Sequence, residues 1–357
     1  MPVATPYLRV DLERLRRNVR VVAEHAALAG IVLRPHVKTH KSVDIARLQL
    51  ASGAAGITVA TVAEAEVFVR GGCEDVFIAY PLWLDAARAA RVRDLAEVAR
   101  VAIGVDSVEG AATAGRLLGG SSVEVVVEVD SGHHRTGVLP ADAGRVALAA
   151  RRAGLHPRGA FTFPGHSYSP GAGSSAATAE RDALEAAAAS ITAAGLAVEV
   201  LSGGSTPSLV AALGTSAVAA SGITREMRPG VYVFGDAQQW ELGVVEPGDI
   251  ALTCRSTVVS HAGGRMVLDA GSKVLGADRA PYASGFGRLL TDPDARIVML
   301  AEHHAVVETD ATLPPLGSQV DVVPNHVCTA VNLADDLWVE EAGGLRPWPV
   351  SARGANH

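Results

Sequence analysis

The chain has 357 residues, of which 48% are hydrophobic and 19% charged, and it carries a net charge of −7. This composition is typical of a globular protein with one large domain or two ordinary ones, and it lacks the basic excess that nucleic acid or an anionic membrane requires. No signal peptide or bilayer-spanning apolar run is found, and three scattered cysteines do not make a disulfide framework, so the sequence predicts a cytoplasmic protein.

Short apolar runs alternate with alanine-rich helical stretches over the first two thirds of the chain. Strands are predicted at GIVLRPHV, GITVAT, DVFIAY, RVAIGVD, VEVVVEVD, RGAFTF, AVEVLSGG and GVYVFGD. Val- and Ile-rich strands separated by helices indicate a covered parallel sheet, and about eight such units are typical of a (β/α)8 barrel. A doubly wound open sheet is the alternative, but no GxGxxG follows a strand. We therefore predict an α/β protein with a TIM-type barrel over residues 1–235.

The pattern changes after Asp236, where helical periodicity fades. DIALTCRSTVVSHAGGRMVLDAGS and QVDVVPNHVCTAVNLADDLWVE have the pattern of strands joined by Gly, Asn and Pro turns. We expect a separate C-terminal β domain over residues 236–357. The opening segment PYLRVDL is also strand-like and could join that domain.

Unusual polar residues stand where the predicted barrel strands end. One histidine or lysine at a strand end is more often solvated or salt-bridged than catalytic. In a (β/α)8 barrel, however, the C-terminal strand ends meet on the face that carries the active site, so five such ends predict a site there. The residues are His36, Lys38 and His40 after strand one, Asp130, His133, His134 and Arg135 after strand five, His166 and Tyr168 after strand six, the stretch 202–208 after strand seven, and Arg228 and Tyr232 on strand eight.

The stretch SGGSTPS, residues 202–208, has the features of an anion-binding loop. Glycines let backbone N–H groups approach an anion, hydroxyls add donors, and Pro207 suits the first turn of a helix. Barrels often hold a phosphate after strands seven and eight, although tight turns use the same residues. With Lys38 across the barrel mouth, the loop predicts pyridoxal phosphate (PLP), held by a Schiff base at one end and by its phosphate at the other.

RPHVKTHKS, PGHSY, SGGSTP and PNHVCTAVN together resemble the fold-type III PLP enzymes, the alanine racemase-like barrels. Within them the chain is most similar to the D-serine dehydratase and D-threonine aldolase group. The resemblance covers nearly the whole chain and implies Lys38 as the Schiff-base lysine, Arg135 near the cofactor's phenolic oxygen and His166 beside its ring. Tyr168 and Arg228 are alternatives for the residue that faces the pyridine nitrogen. The residues expected to bind the cofactor are Lys38, Arg135, His166, Tyr168, Ser202, Gly203, Gly204, Ser205, Thr206, Arg228 and Tyr232.

The same resemblance separates the charged residues around Lys38. We interpret His36 and His40 as groups that adjust Lys38 and not as metal ligands. Lys41, at the start of the next helix, is expected to be a solvated cation. The family also implies a homodimer in which two subunits share each active site.

His326 and Cys328 are two positions apart in PNHVC, so on a strand both would face the same side. Thiolate and imidazole suit zinc, but spacing alone favours a buried cysteine beside a structural histidine. The family resemblance reverses that balance. Members with His-x-Cys here resemble zinc-dependent dehydratases, whereas aldolases tend to carry His-x-Asp. We therefore predict a metal on His326 and Cys328, zinc by preference, although another divalent metal is possible.

These features predict a PLP- and zinc-dependent lyase that acts on a small D-β-hydroxy amino acid, D-serine dehydratase-like. D-Serine, D-threonine and β-hydroxyaspartate all carry the hydroxyl that the reaction needs. A metal-dependent D-threonine aldolase is the alternative, and racemisation is a third. Racemisation needs a second base such as a tyrosine, and Tyr282, the only tyrosine in the C-terminal third, lacks surroundings like those in the racemases. From a different class, a non-catalytic PLP carrier stays open, although small proteins of that kind lack the β domain.

Overall fold

The structure is a computed structural model that describes residues 3–214, 222–342 and 344–357. It divides into two compact units. The barrel unit contains Val21–Lys38, Ala46–Gly230 and Ala355–His357, and the β unit contains Met1–Arg20, Thr39–Ile45 and Val231–Gly354. No helix in the described part of the chain is long and apolar enough to cross a membrane.

The barrel unit is built on an eight-stranded sheet in which all neighbouring strands are parallel, in the order β2-β9-β8-β7-β6-β5-β4-β3. Its two ends meet where His36 pairs with Thr58 in a single parallel bridge. The predicted barrel with a C-terminal β domain is therefore confirmed. Numbered in chain order, the barrel strands are β2 (Val32–Leu33), β3 (Ile57–Val59), β4 (Asp75–Pro81), β5 (Arg100–Val105), β6 (Glu124–Glu128), β7 (His156–Phe161), β8 (Val200–Gly203) and β9 (Thr224–Met227).

The eighth strand does not lie where the sequence predicted it. GVYVFGD forms a 3-10 turn at Val231–Val233, which belongs to the β unit and contains Tyr232. The eighth strand is β9 instead, which pairs with β2 through Met227 and Leu33. Pro229 follows it and has no N–H to continue the ladder, so the strand ends before the apolar run that suggested it.

Helices follow the strands, and side-chain caps begin several of them. Thr61, Asp85 and Ser107 each accept a hydrogen bond from the backbone N–H three residues later. Such caps satisfy N–H groups that the first helical turn leaves unpaired, so they fix where the chain turns after β3, β4 and β5. Up to residue 214 the helices are α1 (Leu12–Leu28), α2 (Val43–Ala51), α3 (Val62–Arg70), α4 (Ala86–Ala96), α5 (Val108–Leu118), α6 (Ala143–Arg152), α7 (Gly173–Ala193) and α8 (Leu209–Gly214), and α1 and α2 begin in the β unit.

The β unit contains a nine-stranded sheet within the described residues, in the order β11-β14-β13-β12-β15-β10-β1-β16-β17. Strand β10 also pairs with β11, which closes six of the strands into an antiparallel barrel. The first strand pairs antiparallel with β10 and parallel with β16. The strands are β1 (Tyr7–Asp11), β10 (Leu252–Ser260), β11 (Met266–Leu268), β12 (Gly287–Leu289), β13 (Arg296–Leu300), β14 (Ala305–Glu308), β15 (Gln319–Pro324), β16 (Asp336–Glu341) and β17 (Gly344–Pro349), and the helices are α9 (Ala237–Glu241), α10 (Ser272–Leu275) and α11 (Val327–Leu333).

Candidate active site

Lys38, predicted at the end of strand one, lies in a 3-10 turn, Val37–Thr39. The turn is tied to the barrel wall by His36, whose N–H donates to the Pro229 carbonyl at 3.0 Å and which pairs with Thr58. The Lys38 Nζ is 5.7 Å from the centre of the Phe163 ring. Lys38 is thus held at the seam where the sheet closes, beside an aromatic ring.

Three cations surround His36. The pKa of His36 lies well below its ordinary value because the ring is desolvated and because Lys38, Arg228 and Arg135 are close to it. Its Nδ1 is buried and has no hydrogen-bond partner among the described residues. The imidazole is therefore neutral at neutral pH, and it has one polar atom left to meet a ligand.

Phe163 is the centre of an aromatic and cationic cluster that the sequence did not reveal. The Arg135 guanidinium carbon lies 5.0 Å from the ring centre. The His133 ring contacts Phe163 edge-on at 5.6 Å, and the Tyr168 ring lies 6.2 Å away. Phe163 precedes PGHSY directly, and this position at the end of β7 was the only signal that could have found it.

Glycines allow the loops after β6 and β7 to pack closely. A Cβ on Gly165 would lie 2.4 Å from the His133 Nε2, and one on Gly132 would lie 3.6 Å from the His166 Cε1. Each histidine thus rests on a glycine of the other loop. The His166 Nδ1 is buried without a partner among the described residues.

Arg228 is buried inside the barrel and is tied to the wall. Its Nε donates to the Ser202 Oγ at 2.8 Å, and its Nη2 donates to the Thr162 carbonyl. Its guanidinium carbon lies over the rings of Phe77 and Phe161, at 5.7 and 5.2 Å. Burial lowers the pKa of Arg228 from its ordinary value.

The hydroxyl of Ser202, predicted as a phosphate donor, is used inside the barrel wall. It donates to the Glu226 Oε1 at 2.7 Å while it accepts from Arg228. Glu226 also accepts a hydrogen bond from the Arg34 Nε at 2.7 Å, and Arg34 donates to both carboxylate oxygens of Asp75. Burial alone would lower the pKa of Arg34, but the two carboxylates raise it above its ordinary value. Ser202 is thus one link in a buried charge network.

Residues 203–208, the rest of the glycine-rich loop that begins at Ser202, are all buried. Gly204 has φ +87°, which only glycine adopts without strain, and its N–H donates to the Glu180 Oε2 at 2.7 Å. The hydroxyls of Ser205 and Ser208 are 2.9 Å apart, and that of Ser167 is 2.8 Å from Ser205. Loop 202–208 is therefore preformed, with Gly203 and Thr206 held between these contacts.

Glu128, at the end of β6, is another residue that the sequence did not single out. Its Oε1 accepts from the Thr136 hydroxyl at 3.0 Å, and its Oε2 is buried without a partner among the described residues. Burial raises the pKa of Glu128, an effect opposed by Thr136, Arg135 and Arg228. Unpartnered buried atoms on His36, Glu128 and His166, set among Lys38, Arg135 and Arg228, fit a polar ligand with an anionic group such as PLP.

Lys41 and His40, two residues whose roles the sequence predicted, belong to the β unit. Lys41 is only 4% exposed, and its carbonyl accepts from the Ala352 N–H at 2.9 Å. The expectation of a solvated cation is therefore wrong, because the chain turns inward at Lys41, which has φ +49°. His40 is fully buried, and its Nδ1 accepts from the Ser42 N–H at 3.1 Å.

His326 and Cys328 are brought together by a helix and not by the predicted strand. His326 caps α11, and Cys328 lies in its first turn. Burial would lower the pKa of His326, but Cys328 and a hydrogen bond with Asp236 hold it well above its ordinary value. The Cys328 Sγ lies 3.4 Å from the Thr39 hydroxyl. No group of three or more His, Cys, Asp or Glu side chains with metal-binding geometry occurs in residues 3–214, 222–342 and 344–357.

Asp236 supports His326 through hydrogen bonds to its ring and to the next backbone N–H. Its Oδ2 lies 3.2 Å from the His326 Nδ1 and accepts the Val327 N–H at 3.2 Å, while its Oδ1 caps α9 through the Gln239 N–H at 2.8 Å. The Asp236 carboxylate is fully buried. A carboxylate on one ring nitrogen of histidine is the usual support for a metal bound at the other nitrogen, and with the thiol of Cys328 the donors fit a zinc-like ion.

Two family models match the chain. The model for "Alanine racemase, N-terminal domain" matches residues 10–238, and a serine dehydratase domain model matches residues 251–339. Among characterised relatives, the D-threo-3-hydroxyaspartate dehydratase of Delftia sp. (strain HT23) is 35% identical, over 91% of this chain and 90% of the relative. The D-threonine aldolase of Arthrobacter sp. is 32% identical, over 99% and 93%.

Solved structures agree with the sequence matches. A cysteine-to-alanine variant of D-threo-3-hydroxyaspartate dehydratase, in the metal-free form, superposes with a TM-score of 0.87 at 32% identity, over 97% of both chains. The chain therefore belongs to the alanine racemase-like, fold-type III PLP enzymes, and it is a PLP-dependent lyase of D-hydroxy amino acids.

Proposed function

We propose that the protein is a PLP- and zinc-dependent dehydratase of small D-β-hydroxy amino acids, which converts D-serine or a β-substituted analogue to a keto acid and ammonia. The observation that carries this proposal is the pairing of His326 with Cys328, supported from behind by Asp236. A thiolate beside an imidazole is a soft donor set that suits zinc over magnesium or calcium.

In the barrel unit, Lys38 is the attachment point for the cofactor and the base for the substrate Cα proton. PLP, when bound, supplies an electron sink for the negative charge left on Cα, and zinc supplies Lewis-acid assistance to departure of the hydroxyl. An amine takes a proton only in its neutral form, which nearby positive charges favour. Arg135 lies over the same Phe163 ring as the Lys38 amine, and Arg135 and Arg228 both act with Lys38 on His36, so positive charge is concentrated in this part of the barrel.

In the β unit, His326 and Cys328 would hold the metal. Asp236 accepts from the Nδ1 of His326, so the other ring nitrogen is the one that would bind an ion together with Cys328. With two protein donors, the remaining positions would be filled by water and substrate, as an open catalytic site requires.

A D-threonine aldolase-type reaction is the second candidate, because an aldolase is similar to this chain over nearly its full length. His326 and Cys328 would then hold a metal at the same β-hydroxyl, the hydroxyl would lose its proton, and the Cα–Cβ bond would break to give glycine and an aldehyde. Cys328 favours dehydration, because the pattern His-x-Cys resembles the dehydratases of the group, whereas the aldolases tend to carry His-x-Asp.

One assay separates the two reactions. Purified protein is incubated with D-serine, D-threonine and D-threo-3-hydroxyaspartate, with and without a chelator, and keto acid and glycine are measured in parallel. Keto acid that disappears with chelator and returns with zinc supports the dehydratase. Glycine with an aldehyde would instead support the aldolase. PLP binding without turnover would indicate a non-catalytic PLP carrier.

Variants test the assigned residues separately. Lys38→Ala should lose the absorbance of lysine-bound PLP, whereas Lys273→Ala, at an exposed lysine paired with Glu302, should keep it. Cys328→Ala should lower the zinc content and keep the absorbance. Full absorbance in Lys38→Ala would show the attachment point to be wrong. The homodimer and the cytoplasmic location stay predictions.

A further inference from the structure

A buried carboxylic acid lies directly behind the glycine loop. Glu180, on α7, is 6% exposed, and its Oε2 accepts the Gly204 N–H at 2.7 Å. This N–H belongs to the stretch that we expect to bind phosphate, yet a carboxyl group occupies it. Glu180 therefore helps to hold the Gly203–Gly204 backbone, together with the Arg228 N–H that donates to the Gly203 carbonyl at 2.8 Å.

The loop is built around this acid. A Cβ on Gly203 would lie 2.6 to 2.8 Å from the carboxyl atoms of Glu180, closer than real contacts allow. Gly204, at φ +87°, also requires glycine. The two glycines are thus needed for contact with Glu180 as well as for backbone freedom.

The charges around Glu180 do not fully compensate its burial. Burial raises the pKa of Glu180 to about 7, and the Gly204 N–H, Arg228 and Arg225 oppose that shift. A small cavity beside it is lined by Arg181 of the same helix and by Arg225 and Glu226 of β9. Strand β8 (VLSG) and helix α8 (LVAALG), which also border the cavity, bring no titratable group.

We propose that Glu180 is a positioning residue for the cofactor phosphate, and that its protonated form supports tight binding. This inference rests on the proposed function, in which residues 202–206 receive the phosphate of PLP. The neutral acid still accepts the Gly204 N–H, so it fixes the loop without adding charge. The ionised acid places a negative charge behind a loop that must bind an anion, and like charges disfavour that.

The test compares PLP with pyridoxal, which lacks the phosphate. The dissociation constant of each is measured on the cofactor-free full-length protein at pH 6 and pH 8, for wild type, Glu180→Gln and Glu185→Gln. Glutamine keeps the acceptor and removes the charge. Glu185 lies on the same helix, is exposed and pairs with Arg225, so Glu185→Gln controls for the loss of a carboxylate from this helix.

For PLP, we expect the ratio of wild-type to Glu180→Gln dissociation constants to rise about tenfold from pH 6 to pH 8. The same ratio for pyridoxal should not rise. Glu185→Gln should show the same change in PLP dissociation constant between pH 6 and pH 8 as wild type. The phosphate and the Schiff base titrate in wild type and in Glu180→Gln alike, so their effect cancels in the ratio. Glu180→Ala, which also loses the acceptor, should bind PLP more weakly than Glu180→Gln at both pH values.

Two results would overturn the inference. One is the same pH dependence in wild type and Glu180→Gln, and the other is an equal rise for pyridoxal. If the proposed function itself is wrong, the outcome differs: wild type would bind PLP no better than Lys38→Ala at either pH, which would reject both proposals.

Discussion

Replacement of Asp236 by asparagine should weaken the metal site without removing either ligand. Asp236 is fully buried and meets three nitrogens: the Nδ1 of His326, the N–H of Val327 and the N–H of Gln239. The asparagine oxygen can keep the bond to Gln239. The NH2 group that replaces Oδ2 cannot accept, so it faces His326 and Val327 as a second donor.

The magnitude follows from the two acceptor contacts that are lost. Each buried donor left unsatisfied costs about 1–3 kcal/mol, so the loss of two contacts should lower the free energy of unfolding by about 2–6 kcal/mol. His326 also loses the carboxylate that fixes its orientation and raises its basicity. Loss of such a support typically lowers metal affinity by about 10- to 100-fold.

Competition with a chromogenic chelator measures zinc affinity, and urea unfolding measures stability. The control is Asp278→Asn: the Asp278 carboxylate accepts from the Thr329 hydroxyl of the same helix, α11, but does not support His326. Its zinc affinity should stay within about twofold of wild type. If Asp236→Asn holds zinc as tightly as this control, the role assigned to Asp236 is wrong.

Further predictions concern stability. Arg34→Ala removes the ion-pair partner of the buried Glu226 carboxylate, so it should lower the free energy of unfolding by about 3–5 kcal/mol in urea, and Glu226→Gln in the same chain should recover part of the loss. Because the pKa of Glu180 is raised, the folded state binds more protons than the unfolded state between about pH 4.5 and pH 7. Wild type should therefore lose about 2–3 kcal/mol relative to Glu180→Gln from pH 5 to pH 8, and equal pH profiles would contradict this. Gly159→Ala would place a Cβ 2.0 Å from a backbone oxygen of β8 and should cost about 3–5 kcal/mol, whereas Gly154→Ala has open space and should cost about 1 kcal/mol in the same thermal unfolding assay.

The barrel could be predicted because its signal is local and repeated. Most of its strands are short apolar runs followed by a helix, and the alternation survives errors at single elements. The error at GVYVFGD shows the limit: the run is as apolar as a strand, but Pro229 before it and the pairing of Met227 with Leu33 place the strand earlier. Which apolar run pairs with a given neighbour is a tertiary choice that composition does not contain.

The site residues that the sequence missed act through contacts between distant segments. Asp236 meets His326 across 90 residues, and Glu180 meets Gly204 across 24. Neither acid belongs to an unusual motif, so nothing local marks it. The metal pair shows the opposite case: the sequence placed His326 and Cys328 together for the wrong reason, since a helix cap and first turn replace the strand face.

The buried network of the barrel wall decides which loop residues remain for the cofactor. A serine hydroxyl has one proton to donate, and that of Ser202 goes to Glu226. Arg228 likewise spends its Nε on Ser202 and its Nη2 on the Thr162 carbonyl, so only its other N–H groups can face a ligand. If Ser202 donated to phosphate, Glu226 would lose a hydrogen bond in a site with almost no solvent, which is unfavourable. We therefore expect phosphate recognition to fall on the part of the loop after Ser202, where Glu180 sets the backbone.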